Sequence, residues 1–123
     1  MLSVGRHVGV RVFLCLAPMD MRRSFDGLAA AAEHVMRQAP LSGHLFVFRG
    51  RRGDRVKILY WDRDGYALWY KRLEKGVVKF PGGSGASLEV SAAELACILE
   101  GLELAQARRR KRFSLGAREG VSM

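Results

Sequence analysis

From Val8 to Leu16 apolar and other residues alternate: Val8, Val10, Val12, Leu14 and Leu16 fall on one side of an extended chain, Gly9, Arg11, Phe13 and Cys15 on the other. That period of two predicts a β-strand, apolar on one face and mixed on the other, ending near Pro18. The period then lengthens. Met21, Phe25, Leu28, Ala32 and Val35 or Met36 recur at three-and-four spacing, while Arg22, Arg23, Asp26, Glu33 and Arg37 fall mainly off that stripe. This predicts an amphipathic helix that stops before Pro40. Asp20 stands where its carboxylate can cap the helix by accepting a hydrogen bond from a free first-turn amide.

Alternation returns over His44–Arg49, Asp54–Trp61 and Tyr66–Leu73. Gly50-Arg51-Arg52-Gly53 and Asp62-Arg63-Asp64-Gly65 separate these runs, and both connectors are short and glycine-bearing, as tight hairpins require. In the middle run Val56, Ile58 and Tyr60 share a core-like face, leaving Arg55, Lys57, Leu59 and Trp61 on a mixed one. A shorter strand over Val77–Phe80 is expected after Lys75-Gly76, and Pro81-Gly82-Gly83-Ser84-Gly85 is a connector. Beyond it, Ser91 and Glu94 have capping-box spacing, followed by the helical stripe Leu95, Ile98, Leu99 and Leu102. The expected fold class is α+β: an antiparallel β-meander of four or five strands with two packing helices and a basic C-terminal tail. Residues 1–105 are read as a single domain and residues 106–123 as a flexible basic tail.

Composition agrees with one domain: 123 residues, 49% of them hydrophobic, can build one core and are too few for two. The longest apolar run, Val12–Met19, is far shorter than the roughly 20 residues a spanning helix needs, and the residues around Arg6 and His7 do not read as a secretory signal. A cytoplasmic protein away from membranes is expected. Cys15 and Cys97 suit free thiols better than a disulfide framework. His7, His34 and His44 are scattered, so no metal site is expected. The glycine-rich connector lacks a phosphate-loop motif, and no cofactor is implied.

Charge changes the picture most. The net charge is +9, with residues 1–39 contributing +2, residues 40–80 +6, residues 81–105 −4 and residues 106–123 +5. Cations thus concentrate in the meander and the tail, as expected of a protein meeting a polyanion. Arg49, Arg51, Arg52, Arg55, Lys57, Lys71, Arg72 and Lys75 are the candidate nucleic-acid contacts in the meander, with Arg63 and Lys79 also basic there. The tail adds Arg108, Arg109, Arg110, Lys111 and Arg112, a run that can follow a phosphate backbone without reading bases. The plainer readings are solvated strand edges that resist aggregation and a solvated terminus. Trp61, Trp69 and Tyr70 fit cross-strand packing better than base stacking. Asp54, Asp62 and Asp64 could in principle hold a divalent metal for phosphoryl transfer, but all three fall at predicted turns, where aspartate has local hydrogen-bonding work. No catalytic residues are assigned.

Gly43–Phe48, Asp54–Asp62 and Asp64–Gly76, with Val10-Arg11-Val12-Phe13-Leu14 and Met19-Asp20-Met21-Arg22-Arg23-Ser24-Phe25-Asp26-Gly27-Leu28-Ala29 upstream, resemble the accessory protein of insertion-sequence-66 transposons. That family is usually called TnpB, after the second open reading frame, and is distinct from the RNA-guided nuclease of the same name. The matching segments span most of residues 10–81. Met19 stands where the family usually has threonine, and Val77-Val78-Lys79-Phe80-Pro81 replaces a more aromatic ending. The resemblance implies a non-catalytic factor assisting transposition beside a separate transposase, its partner. DNA is the other expected partner. Arg22 and Arg23, in the most recognisable phrase outside the meander, are candidate partner-binding residues. The competing expectation is a protein-interaction subunit whose positive surface docks on an acidic partner and does not touch DNA.

Overall fold

A computed structural model describes residues 9–100. The elements, in order, are β1 (Val12–Cys15), α1 (Phe25–His34), β2 (Leu45–Arg49), β3 (Arg55–Asp62), β4 (Gly65–Arg72), β5 (Ser87–Val90) and α2 (Ala92–Leu99). The strands form one sheet in the order β4-β3-β2-β1-β5. This is the expected α+β class, with one addition that alternation cannot reveal: β1 and β2 run parallel, joined through α1, while every other pair is antiparallel.

The central strands are buried on both faces. On one face Val12, Leu14, Leu45, Val47, Val56 and Ile58 pack with Leu95 and Ile98 of α2 and with Val78. On the other, Phe13, Cys15, Phe46, Phe48 and Leu59 pack against Leu28, Ala29, Ala31 and Ala32 of α1. Alanines let α1 lie close to the sheet, and the phenylalanines fill the space beneath them. A strand buried on both faces reads as a continuous apolar run, which is why β1 and β2 consist almost wholly of large apolar residues.

The expected boundaries need four corrections. β1 covers only Val12–Cys15, in the second half of the Val8–Leu16 pattern, whose Val8 lies outside the described residues. Helix α1 starts at Phe25 and is preceded by Ser24, so Asp20 does not cap it. Asp20 instead closes a turn, accepting from the Arg22 backbone N–H at 2.9 Å. Val77–Phe80 forms no strand: the chain reverses at Gly76 (φ 76°) and crosses the α2 face, where the Val78 N–H donates to the Gly53 carbonyl. The fifth strand is Ser87–Val90, antiparallel to β1 and clamped there by Arg11, whose guanidinium donates to both Glu89 oxygens at 2.6 and 2.9 Å. Ser87-Leu88-Glu89-Val90 does alternate, but so short a run beside the glycine-rich connector does not stand out from sequence.

The capping box is present. The Ser91 hydroxyl accepts from the Glu94 N–H at 3.1 Å, and the Glu94 carboxylate accepts from the Ser91 N–H at 2.9 Å. Leu95 and Ile98 are buried as expected, whereas Leu102 lies outside the described residues. Both cysteines are free, and burial pushes the Cys15 thiol up from its ordinary pKa. Among the described residues no helix is long and apolar enough to cross a membrane.

Candidate nucleic-acid interface

Because β1 and β2 are parallel, both carboxyl ends lie at one end of the sheet. The antiparallel register brings the start of β3 and the finish of β4 to the same end, with Arg55 opposite Arg72. Two loops meet there: the connector between β1 and α1, and the β2–β3 hairpin loop. The Met19 N–H donates to the Arg49 carbonyl at 2.9 Å, joining them at the backbone. Between them lies an open cleft of about 650 Å³ lined by Met19, Asp20, Met21, Arg22, Gly50, Arg51, Arg52, Asp54 and Arg55. Four arginines from two stretches of chain thus share one depression.

Their environments differ. Arg22 is clamped to the Asp20 carboxylate by side-chain bonds of 2.8 to 3.2 Å, yet its side chain remains 92% exposed. The guanidinium, with help from the Arg22 N–H, holds the Asp20 carboxyl well below the usual carboxylate range, and the carboxylate in turn raises the Arg22 pKa. Arg51 and Arg52 are exposed and have no carboxylate partner among the described residues. Arg55, half-buried, donates to the Tyr70 hydroxyl at 3.2 Å.

Of the other meander cations, Arg49, Lys71 and Arg72 lie at the strand ends beside the cleft and form its rim. Arg49 pairs with Val56, which pairs with Lys71, so these two cations lie on the α2 face of the sheet. Arg49 stacks at 4.7 Å over the Phe80 ring. Arg72 shares the α1 face with Arg55 and approaches Glu74 at 3.9 Å. Lys71, Lys75 and Lys79 are exposed. Arg63 sits at the far end of β3 beside Asp62, in the turn between β3 and β4. Arg23 is exposed, the stem of its side chain lying against Gly27.

Lys57 is the exception among the sequence-derived contacts. It is 6% exposed, and its ammonium donates to the carbonyls of Met21 and Arg23 at 2.7 Å each. It also lies 4.7 Å from the Tyr70 ring centroid. Alternation assigned it correctly to the mixed face, but the connector before α1 covers that face and removes the lysine from the surface. Arg108, Arg109, Arg110, Lys111 and Arg112 lie outside the described residues. Gly50 and Met21, which shape the cleft, were not singled out from sequence: a Cβ built on Gly50 would stand 2.7 Å from the Met21 Cγ, a proximity that no local pattern signals.

The carboxylates considered for metal chemistry do not converge. Asp54 lies at the cleft, whereas Asp62 and Asp64 lie at the opposite end of the eight-residue β3. Among the described residues no cluster of three or more histidines, cysteines, aspartates or glutamates could hold a metal ion.

The chain is therefore a small mixed-sheet protein with an arginine-lined cleft where its parallel strands end. It belongs to the family described as IS66 Orf2 like protein, TnpB_IS66, whose model matches residues 10–109. That places it among the transposition-associated accessory proteins of insertion sequences. It is similar to two uncharacterized proteins of Sinorhizobium fredii (strain NBRC 101917 / NGR234). With y4hO it is 38% identical over 103 residues, 84% of this chain and 88% of the relative. With y4jC it is 34% identical over 107 residues, 87% of this chain and 92% of the relative. No solved structure matches significantly.

Proposed function

We propose that this accessory protein assists a separate transposase by holding nucleic acid, its arginine cleft and rim taking the phosphate backbone and the basic tail extending the contact. The observation that carries this reading is the gathering of Arg22, Arg51, Arg52 and Arg55 around one open cleft. Guanidinium forks match phosphate oxygens in geometry and keep their charge at any physiological pH. Arg51 and Arg52, lacking carboxylate partners among the described residues, need break no ion pair to bind. Phosphate contacts position a protein without distinguishing bases, so sequence selection falls to the transposase or to DNA shape.

The test is binding to element-end duplex, unrelated duplex and single-stranded DNA across a salt series. The reading expects association with both duplexes, with an affinity that falls steeply as salt rises, by roughly 0.9 logarithmic units per decade for each phosphate engaged. An affinity independent of salt, or unchanged when Arg51, Arg52 and Arg55 are neutralised, overturns it. Salt-sensitive capture of the transposase in DNA-free conditions, with no binding to DNA itself, would replace it with the protein-docking reading.

A further inference from the structure

We infer that Lys57 is a positioning residue for the cleft: its buried ammonium fixes the backbone on both sides of Arg22 and thereby sets where that arginine meets a phosphate. This rests on the nucleic-acid reading of the cleft and assigns a role to a cation that never reaches the surface.

The geometry is specific. Lys57 is the third residue of β3, across from Phe48 on one side and Tyr70 on the other. It is the one buried charged residue among those described, and no carboxylate is paired with it there. A buried ammonium needs compensation for its lost hydration. Here two carbonyls and the face of an aromatic ring supply it. The carbonyls belong to Met21 and Arg23, the two neighbours of Arg22, so the lysine holds the connector at the positions that bracket the arginine. A second restraint acts from the opposite wall, where Gly50 leaves the Met21 side chain only enough room to lie against the hairpin. The Asp20 turn supplies a third. An exposed arginine on an unpinned loop would have to be ordered at the moment of binding, and pre-organisation removes that entropic cost. The Tyr70 ring beside Lys57 also carries the hydroxyl that accepts from Arg55, so one aromatic links the lysine to a second arginine of the cleft.

The experiment is a double-mutant cycle on duplex DNA binding with Lys57→Met, Arg22→Ala and the double variant, each measured across a salt series. Methionine preserves the length and apolar stem of lysine and removes only the ammonium. Arg22→Ala is expected to weaken binding about tenfold and to lower the salt slope by roughly 0.9. Lys57→Met is expected to reproduce most of both effects, and to cost little further once Arg22 is gone. Full additivity would show that Lys57 acts independently of Arg22 and overturns the inference while leaving the nucleic-acid reading intact. Wild-type protein that shows no salt-dependent binding sinks both. Should Lys57→Met fail to fold, Gly50→Ala tests the same point from the other wall. It displaces Met21 while leaving every charge in place, and its effect on binding must likewise shrink in the Arg22→Ala background; an undiminished effect overturns the inference.

Discussion

Replacing Gly53 with alanine is expected to destabilise the protein through two separable effects. Gly53 closes the β2–β3 loop with φ at +80°, a conformation in which an alanine costs about 1–2 kcal/mol. Its added Cβ would also stand 3.0 Å from the Val77 Cβ, tighter than most real Cβ contacts, so the neighbour must give way. Relieving that contact shifts the segment that holds Val78 in the core, a packing strain of about 1 kcal/mol or more. The sum is about 2–4 kcal/mol, and for a domain of this size a melting temperature lower by roughly 8–16 °C. Two other glycines separate the contributions. Gly76 has φ at +76° with open space around it, so Gly76→Ala carries the backbone cost alone. Gly65 has neither a positive φ nor a neighbour within 4 Å, so Gly65→Ala leaves stability within about 0.5 kcal/mol of wild type or raises it slightly. Thermal unfolding followed by circular dichroism ranks the three. If Gly53→Ala costs no more than Gly76→Ala, the argued packing of Val77 against the arginine hairpin is wrong.

Three further outcomes follow from other parts of the fold. Ser91→Ala removes the hydroxyl that accepts from the Glu94 N–H while leaving the Ser91 N–H bond to the Glu94 carboxylate, and is expected to cost about 1 kcal/mol in chemical denaturation, with Ser91→Asn recovering most of it. Ile58→Ala, at a fully buried position of the interior strand β3, is expected to cost about 2–5 kcal/mol; a loss below 1 kcal/mol would contradict its burial. The Asp20 carboxyl, followed by NMR, is expected to titrate well below an ordinary aspartate and to return toward about 3.9 in Arg22→Ala. Because folding lowers this pKa, the pair's contribution to stability is complete above the unfolded value and is lost only as pH falls through the folded one.

The meander was legible because its signals are local: alternation, two glycine-bearing connectors and strands long enough to show a period. The second helix was legible through the capping box and the Leu95, Ile98 stripe. What escaped depends on long-range pairing. The parallel placement of β1 beside β2 follows from the packing of α1 on the sheet, and β5 gains its identity only by lying against β1 with Arg11 on Glu89. Asp20 was misread as a cap because an aspartate near a helix start can equally close a turn with the residue two ahead. Of the candidate site, charge density pointed to the arginines and the hairpin loop, and the fold brings Arg22 to Arg51, Arg52 and Arg55. Charge density could not tell Lys57, facing backbone carbonyls under the connector, from lysines facing solvent.

The central claim is that nucleic acid binds at the cleft end of the sheet and not wherever positive charge occurs. The most direct measurement compares duplex DNA affinity across a salt series for Arg51→Ser/Arg52→Ser and for Arg63→Ser, which removes an exposed cation at the opposite end of β3. The account predicts that the double variant lowers the salt slope by roughly 1.8 while Arg63→Ser leaves both slope and affinity at wild-type values. Equal loss per charge removed at the two ends, or no loss at either, would contradict it.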